Sequence, residues 1–211
     1  MPKNFDRDYR FAFLLSLFTI LANLVEGGFS TILGQRDSTL ALFGFGLDSF
    51  IEVISAVGIS IMILRIAQEP ESPRSKFEVT ALKITGVSFY LLTAGLVLTA
   101  ILNLITRAKP ETSLNGLIIS LISLSVMIFL YRAKLHVGRK LNSDPIIADA
   151  NCTKTCIYMS IVLLASSLVY MLTGLAFIDT LGAIGIAWFA FGEGREAFEK
   201  AAGKETCAAC G

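Results

Sequence analysis

The sequence has few of the residues on which soluble surfaces and most active sites depend. It contains one histidine, one tryptophan and five prolines, and charged residues make up only 17% of its 211 positions. A water-soluble domain of this length would carry more charge, because its surface must face water. A single histidine, His136, cannot complete a catalytic triad, and we find no nucleophile placed beside a base. An enzyme is therefore not expected, and a membrane enzyme is the weakest of the alternatives.

The chain also lacks a long basic run and a phosphate-binding loop, and a cleavable leader is not expected. Its formal net charge is +1, which gives no general attraction to nucleic acid. Without a glycine-rich phosphate loop, nothing indicates that ATP drives its activity. The first apolar stretch, Phe11 to Leu33, is too long for the core of a signal peptide.

Long apolar stretches dominate the sequence instead. It is 54% hydrophobic with a mean hydropathy of +0.68, and its charges cluster between the stretches. Each stretch is close to the ~20 helical residues that cross ~30 Å of hydrocarbon. We predict an all-α polytopic membrane protein, with a six-helix transmembrane domain over residues 1–198 and a short tail over 199–211. The predicted spans are Phe11–Leu33, Thr39–Leu64, Val79–Ile105, Leu114–Leu130, Ile146–Leu172 and Leu181–Phe198.

Basic residues favour one side of the predicted membrane. One side has only Arg36, Arg107 and Lys109, and two lysines, Lys83 and Lys154, fall inside spans. The positive-inside rule then predicts that both termini are cytoplasmic, most simply in the plasma (inner) membrane. The other thirteen lysines and arginines lie on the predicted side of the two termini: Lys3, Arg7, Arg10, Arg65, Arg74, Lys76, Arg132, Lys134, Arg139, Lys140, Arg195, Lys200 and Lys204.

Two carboxylates, Asp48 and Glu52, fall inside the second span. Residues four apart lie on one helix face, with Cβ atoms about 6 Å apart. The two carboxylates repel each other unless a cation or a proton lies between them. Ionisable residues at this depth usually mark a functional path. The alternative is that the span starts later and Asp48 only caps it.

The fifth span combines Asp149 with two cysteines, Cys152 and Cys156, again at spacings of three and four. Thiolates are soft ligands that favour zinc, cadmium or heavier ions. A cysteine in a helix is also commonly a small buried apolar residue. The neighbouring polar residues Asn151 and Lys154 argue against a purely apolar surrounding for these cysteines.

The first span contains one acidic residue, Glu26, one turn after Asn23. It is a candidate proton acceptor, auxiliary ligand or partner of Lys154. It is equally compatible with an interfacial position, because Gly27 and Gly28 loosen that part of the helix.

Three runs of sequence together resemble the transmembrane half of the cation diffusion facilitator transporters. They are Leu42–Glu52 (LFGFGLDSFIE), Asn142–Cys152 (NSDPIIADANC) and Phe177–Ala183 (FIDTLGA), and the likeness extends to about Phe198. The resemblance implies a cation-efflux-like bundle that exports a metal cation in exchange for protons, with no obligatory cofactor. It also implies a homodimer. The implied metal ligands are Asp48, Glu52, Cys152 and Cys156, with Glu26, Asp149, Asn151 and Lys154 as auxiliary candidates.

The implied ligands differ from the family pattern. Glu52 stands where the family usually has Asp, and the two thiols stand where it usually has His and Asp. Four such ligands still suit tetrahedral zinc. The sulfur favours zinc, cadmium or a similar ion over manganese or magnesium. The same differences leave open that transport has been lost, which makes a non-transporting metal or redox sensor the alternative function.

A second difference concerns length. The family commonly continues into a cytoplasmic metal-binding domain, whereas about a dozen residues follow the sixth span here. They end in a Cys-x-x-Cys, Cys207 and Cys210, which would stay reduced in the cytoplasm and suit a soft cation. The alternative is a frayed tail without function. His136, among basic residues, is predicted to lie in a solvated loop.

The predicted depths of the ligands do not match well. Counted along the spans at 1.5 Å per residue, Asp48 and Cys156 differ in depth by roughly 10 Å. Helix tilt would have to bring them together.

Overall fold

The structure is a computed structural model that describes residues 7–68, 76–106, 114–142, 144–175 and 177–203. Within these ranges the chain forms six α-helices and no strand. The all-α fold predicted from the sequence is confirmed. The helices are α1 (Arg7–Arg36), α2 (Leu40–Gln68), α3 (Lys76–Thr106), α4 (Leu114–Lys140), α5 (Asp144–Thr173) and α6 (Phe177–Ala201).

Five of the helices contain a stretch that is long and apolar enough to cross a membrane, as judged by length and composition. These stretches are Arg7–Arg36, Leu40–Arg65, Leu82–Ile105, Leu114–Lys140 and Thr153–Thr173. The remaining helix, α6, has 25 residues, but its last turns are charged, with five such residues between Glu193 and Lys200. Its apolar first part packs against α3 and α5. The chain is therefore a polytopic membrane bundle.

The largest difference from the predicted spans concerns α4. The prediction ended it at Leu130, whereas the helix continues to Lys140. Residues 131–140 contain no proline, and six of the ten are alanine, leucine, lysine or arginine, which are good helix formers. The helix ends only before Asn142, which has a φ of 46°. The residues predicted to lie in a loop are therefore helical, namely Arg132, Lys134, His136, Arg139 and Lys140, with His136 exposed.

The other predicted bounds differ by a few residues. The sixth helix runs to Ala201 rather than Phe198, so the predicted division between bundle and tail falls inside α6. The tail cysteines, Cys207 and Cys210, lie outside the described residues.

Glycines bring α1 and α2 into close contact. A Cβ atom on Gly34 would lie 2.4 Å from the backbone nitrogen of Phe43, and one on Gly46 would lie 2.5 Å from that of Thr31. Side chains at these positions would push the two backbones apart. A tight turn through Ser38, with a φ of 53°, joins the two helices.

Polar contacts fix the two ends of the bundle. Asp179 of α6 accepts hydrogen bonds from the backbone nitrogens of Leu40 (2.8 Å) and Ala41 (3.3 Å), so it caps α2 from a neighbouring helix. At the other end, Lys140 of α4 pairs with Asp8 of α1 at 2.7 Å. We call this second end, where α1 begins and α6 finishes, the terminal side, and the first end the distal side.

The buried apolar residues form two clusters. One, towards the distal side, includes Leu42, Phe45 and Ile186. The other, towards the terminal side, includes Met127, Leu130 and Ile146. Between and beside these clusters lies a set of polar side chains, which we call the polar layer: Asn23, Glu26, Asp48, Ser49, Glu52, Ser123, Cys156 and Ser160.

Candidate metal site

Asp48 is a buried carboxylate in the distal half of α2. It lies eight residues after Leu40, which starts the helix, or about 12 Å along the axis. It therefore does not cap the helix. The residue is 2% exposed, and its Oδ1 has no hydrogen-bond partner among the described residues. A buried oxygen in this condition is energetically costly, and a bound cation or proton would remove the cost.

Glu52, one turn further along α2, joins three helices. Its Oε2 accepts a hydrogen bond of 2.8 Å from Nδ2 of Asn23 on α1. Its Oε1 accepts a hydrogen bond from the thiol of Cys156 on α5. A carboxylate and a thiol from two different helices are therefore in direct contact inside the bundle. Both are metal-ligating groups once deprotonated.

Glu26 occupies the same polar layer from α1. Its Oε1 accepts a hydrogen bond of 3.0 Å from Ser49, and Ser123 of α4 donates a second. Lys154, the partner considered from the sequence, lies with its Nζ 5.8 Å from the centre of the Tyr158 ring. The serines therefore hold Glu26 inside the polar layer.

Glu193 of α6 joins the acidic group, although it was not among the residues predicted from the sequence. Its carboxylate accepts a hydrogen bond from Thr155, and it repels Asp48 and Glu52 electrostatically, as Glu26 does. Its position could have been inferred from helical spacing. It lies three residues after the buried Ala190 and four before the buried Ala197, so it shares their face.

A small cavity connects Glu52 and Cys156 with the terminal side. Its volume is about 50 Å³, which is room for more than one water molecule, since one needs about 10–15 Å³ on the same measure. Polar and acidic groups line it together with apolar walls. The lining residues are Glu52, Ala56, Leu82, Thr85, Phe89, Met127, Asp149, Thr153, Cys156, Glu193, Ala197 and Lys200.

Asp149 lies in this cavity wall, but its carboxylate is paired. The Nζ of Lys134 is 3.0 Å from its Oδ2 and 3.1 Å from the hydroxyl oxygen of Thr153. Lys134 is only 2% exposed and lies within α4, so its predicted place in a loop is wrong. The signal was present in the spacing, because Met127, Leu130, Lys134 and Val137 are all buried in α4 at intervals of three and four.

The predicted four ligands do not lie at one level. Cys156 is level with Glu52, whereas Asp48 is one turn to the distal side, and the position of Cys152 is one turn to the terminal side. The side chains of Asn151 and Cys152 lie outside the described residues. Among the described ones, no three His, Cys, Asp or Glu side chains are arranged to hold one ion. Pairing Asp48 with Cys156 and Glu52 with Cys152 requires α5 to slide past α2 by one turn, about 5.4 Å.

Two proteins of known sequence are similar to this chain. An uncharacterized transporter of Methanocaldococcus jannaschii is 26% identical over 176 residues, which is 81% of this chain and 62% of that protein. The manganese efflux system protein MneP of Bacillus subtilis is 25% identical over 141 residues, which is 64% of this chain and 47% of that protein. The chain thus spans less than two thirds of the length of either relative.

The family model of the cation efflux transmembrane domain matches residues 11–203. The match extends over parts or all of the six helices and includes the three that carry the acid and thiol groups of the polar layer, α1, α2 and α5. It confirms the resemblance drawn from the three sequence runs. The chain belongs to the cation efflux family.

Proposed function

We infer that the chain exports a divalent or soft transition-metal cation, such as zinc or cadmium, in exchange for protons. The ion passes between α2 and α5 and is bound by Asp48, Glu52, Cys152 and Cys156. Glu26, Asp149, Asn151 and Lys154 are auxiliary residues of the proposed route. The observation that carries the proposal is the contact between Glu52 and Cys156, one turn from the Asp48 oxygen that has no hydrogen-bond partner within the described part of the chain.

The acidic groups support binding of a cation in particular. Glu26 and Glu193 each repel Asp48 and Glu52, and Glu52 repels Asp48; the repulsion is strong where water is scarce. A cation among them relieves the repulsion, and so do protons. Carboxylates and thiols must be deprotonated to bind metal, so metal and protons compete for the same groups. This competition lets a proton gradient drive metal export without ATP.

The proposed ion preference follows from the two cysteine thiols of the proposed site. MneP is named for manganese, which prefers oxygen ligands. The proposed site here contains two thiols, which favour zinc or cadmium over manganese. We therefore propose a softer preferred ion than the one in the name of that relative. The tail pair, Cys207 and Cys210, is proposed to collect the same class of ion.

Orientation and assembly complete the proposal. The terminal side is proposed to be cytoplasmic in the plasma (inner) membrane, because the basic residues concentrate there. The cavity then connects the site with the cytoplasm, which is the side from which an exporter takes its ion. A homodimer is proposed from the family alone.

Flux through proteoliposomes tests the function. Vesicles containing the protein, with a pH gradient and an internal fluorescent metal indicator, should accumulate cadmium and zinc. The Asp48→Asn variant keeps the size of the side chain and removes its charge, so we expect flux to fall by about 10–100-fold or more.

The matched control is Asp8→Asn, the same change on a carboxylate that pairs with Lys140 at the surface. Its flux should stay within about twofold of wild type, because an exposed pair contributes little. Equal flux in the Asp48→Asn and wild-type proteins would remove Asp48 from the route. Cadmium binding without flux in the wild type would favour the sensor.

A further inference from the structure

Lys134 is a buried cation at the interface of α4 and α5. Its side chain is 3% exposed and that of Asp149 is 11% exposed, and the two charged groups are 3.0 Å apart. Thr153 fixes the geometry, because its hydroxyl accepts from Lys134 at 3.1 Å and donates to the backbone oxygen of Asp149 at 3.2 Å. An ammonium at this depth is costly without such partners.

The ion pair lies beside the route proposed for the metal. Asp149 and Thr153 line the same cavity as Glu52, Cys156 and Glu193. The charge of Lys134 also acts on Glu52 and opposes the repulsion from the neighbouring carboxylates. The ammonium of Lys134 therefore lies directly behind the part of the cavity wall formed by Asp149 and Thr153, whereas the other lysine of the cavity, Lys200, lies in its lining and pairs with Glu196.

We propose that Lys134 is a tethered counter-cation that lowers the affinity of the cavity for the transported metal. This inference rests on the proposed function. The ammonium occupies Asp149, which keeps that carboxylate from acting as a ligand, and it repels an ion at Glu52. Lys134 is a positioning and affinity-setting residue rather than a ligand.

The physical reason is that a transport site must release its ion. A cavity with several carboxylates and no internal cation would bind a divalent ion tightly and let it leave slowly. Binding has to be favourable enough for the ion to enter and weak enough for it to leave. A fixed ammonium meets this need because its repulsion weakens binding without adding a group that competes for coordination.

Cadmium binding and cadmium flux, measured on the purified full-length protein, test the proposal. Lys134→Met keeps the length of the side chain and removes the charge. We expect the Kd for cadmium to fall by at least about fivefold, with KM and kcat for flux both reduced. Lys134→Arg keeps the charge and should retain a Kd close to that of the wild type. A folded Lys134→Met protein whose Kd for cadmium is unchanged or higher overturns the proposal.

A second comparison covers the case in which Lys134→Met alone does not fold. Asp149→Asn leaves the ammonium unpaired, so its Kd for cadmium should rise. Adding Lys134→Met to that variant removes the repulsion and should lower the Kd again by at least about fivefold. If the double variant binds no more tightly than Asp149→Asn, Lys134 does not act by charge.

The wild-type measurements separate the two proposals. A wild-type protein that neither binds nor transports cadmium contradicts the proposed function. A wild-type protein that transports cadmium, with a Lys134→Met variant of unchanged affinity, contradicts only the role of Lys134.

Discussion

At the scale of single residues, Cys156 provides the clearest test of ion preference. Its thiol contacts Glu52, so any ion held by Glu52 is close to sulfur. We expect Cys156→Ser, which replaces sulfur with oxygen, to weaken cadmium binding by about 10–100-fold. Manganese binding, which prefers oxygen, should change less. Competition titrations with both ions on one protein preparation give the ratio of the cadmium and manganese affinities. An equal loss of affinity for both ions would mean that the thiol does not select between them.

The sequence carried enough information to place this residue but not its surroundings. The resemblance to the cation efflux transporters implied that Asp48 and Glu52 of α2 face Cys152 and Cys156 of α5, and of these the structure brings Glu52 and Cys156 into contact. Asn23 and Glu193 were not predicted as partners, because contacts between helices depend on rotation and register, which one sequence does not specify. Lys134 was misplaced for a different reason. A lysine in a basic stretch is typical of a cytoplasmic loop, and only continuation of the helical spacing past Leu130 indicated burial.

At the scale of helices, the length of each apolar stretch predicted the helix ends to within a few residues wherever a proline or a residue in the left-handed conformation interrupts the chain. The α4 helix has no such breaker before Asn142, and there the prediction failed. Register is the second quantity that the sequence left undetermined. The roughly 10 Å difference in depth counted from the sequence agrees in direction with the structure, where Cys156 is level with Glu52 rather than with Asp48.

Close packing of α1 on α2 gives a prediction about stability. Gly34→Ala would place a methyl group 2.4 Å from the backbone nitrogen of Phe43, where no flexible side chain can yield. We expect the free energy of unfolding to fall by about 1–3 kcal/mol or more, which is measured as a lower thermal unfolding temperature in detergent. Gly28→Ala is the matched control on the same helix, because a Cβ there meets nothing within 4 Å. That change should be neutral or slightly stabilising, and equal behaviour of the two variants would contradict the close contact.

At the scale of the whole molecule, the bundle is asymmetric along the membrane normal. The cavity reaches Ala197 and Lys200 in the last turns of α6, and the distal side is closed by the α2 cap at Asp179 and by the apolar cluster around Phe45. With the terminal side cytoplasmic, as proposed, the cavity opens towards the compartment from which the proposed exporter takes its ion. Alternating access then requires the helices to move, and the one-turn mismatch between α2 and α5 indicates which pair has to slide.

Reagent access from the two sides of the membrane tests this asymmetry. We expect Ala197→Cys, in a background with Cys207→Ser and Cys210→Ser, to react with a small membrane-impermeant cationic thiol reagent in inside-out vesicles only. The reaction is measured as the excess over the background protein without Ala197→Cys, because Cys156 also lines the cavity. Ala197 is 6% exposed but lines the cavity, so its reaction requires water in the cavity and not merely a position near the surface. Thr173→Cys, exposed at the distal end of α5, is the control and should react only in right-side-out vesicles. Cadmium should slow the reaction at position 197, because a bound ion occupies or closes the cavity. Reaction at both positions from one side would contradict the membrane orientation, and reaction at position 197 that ignores cadmium would separate the cavity from the ion route.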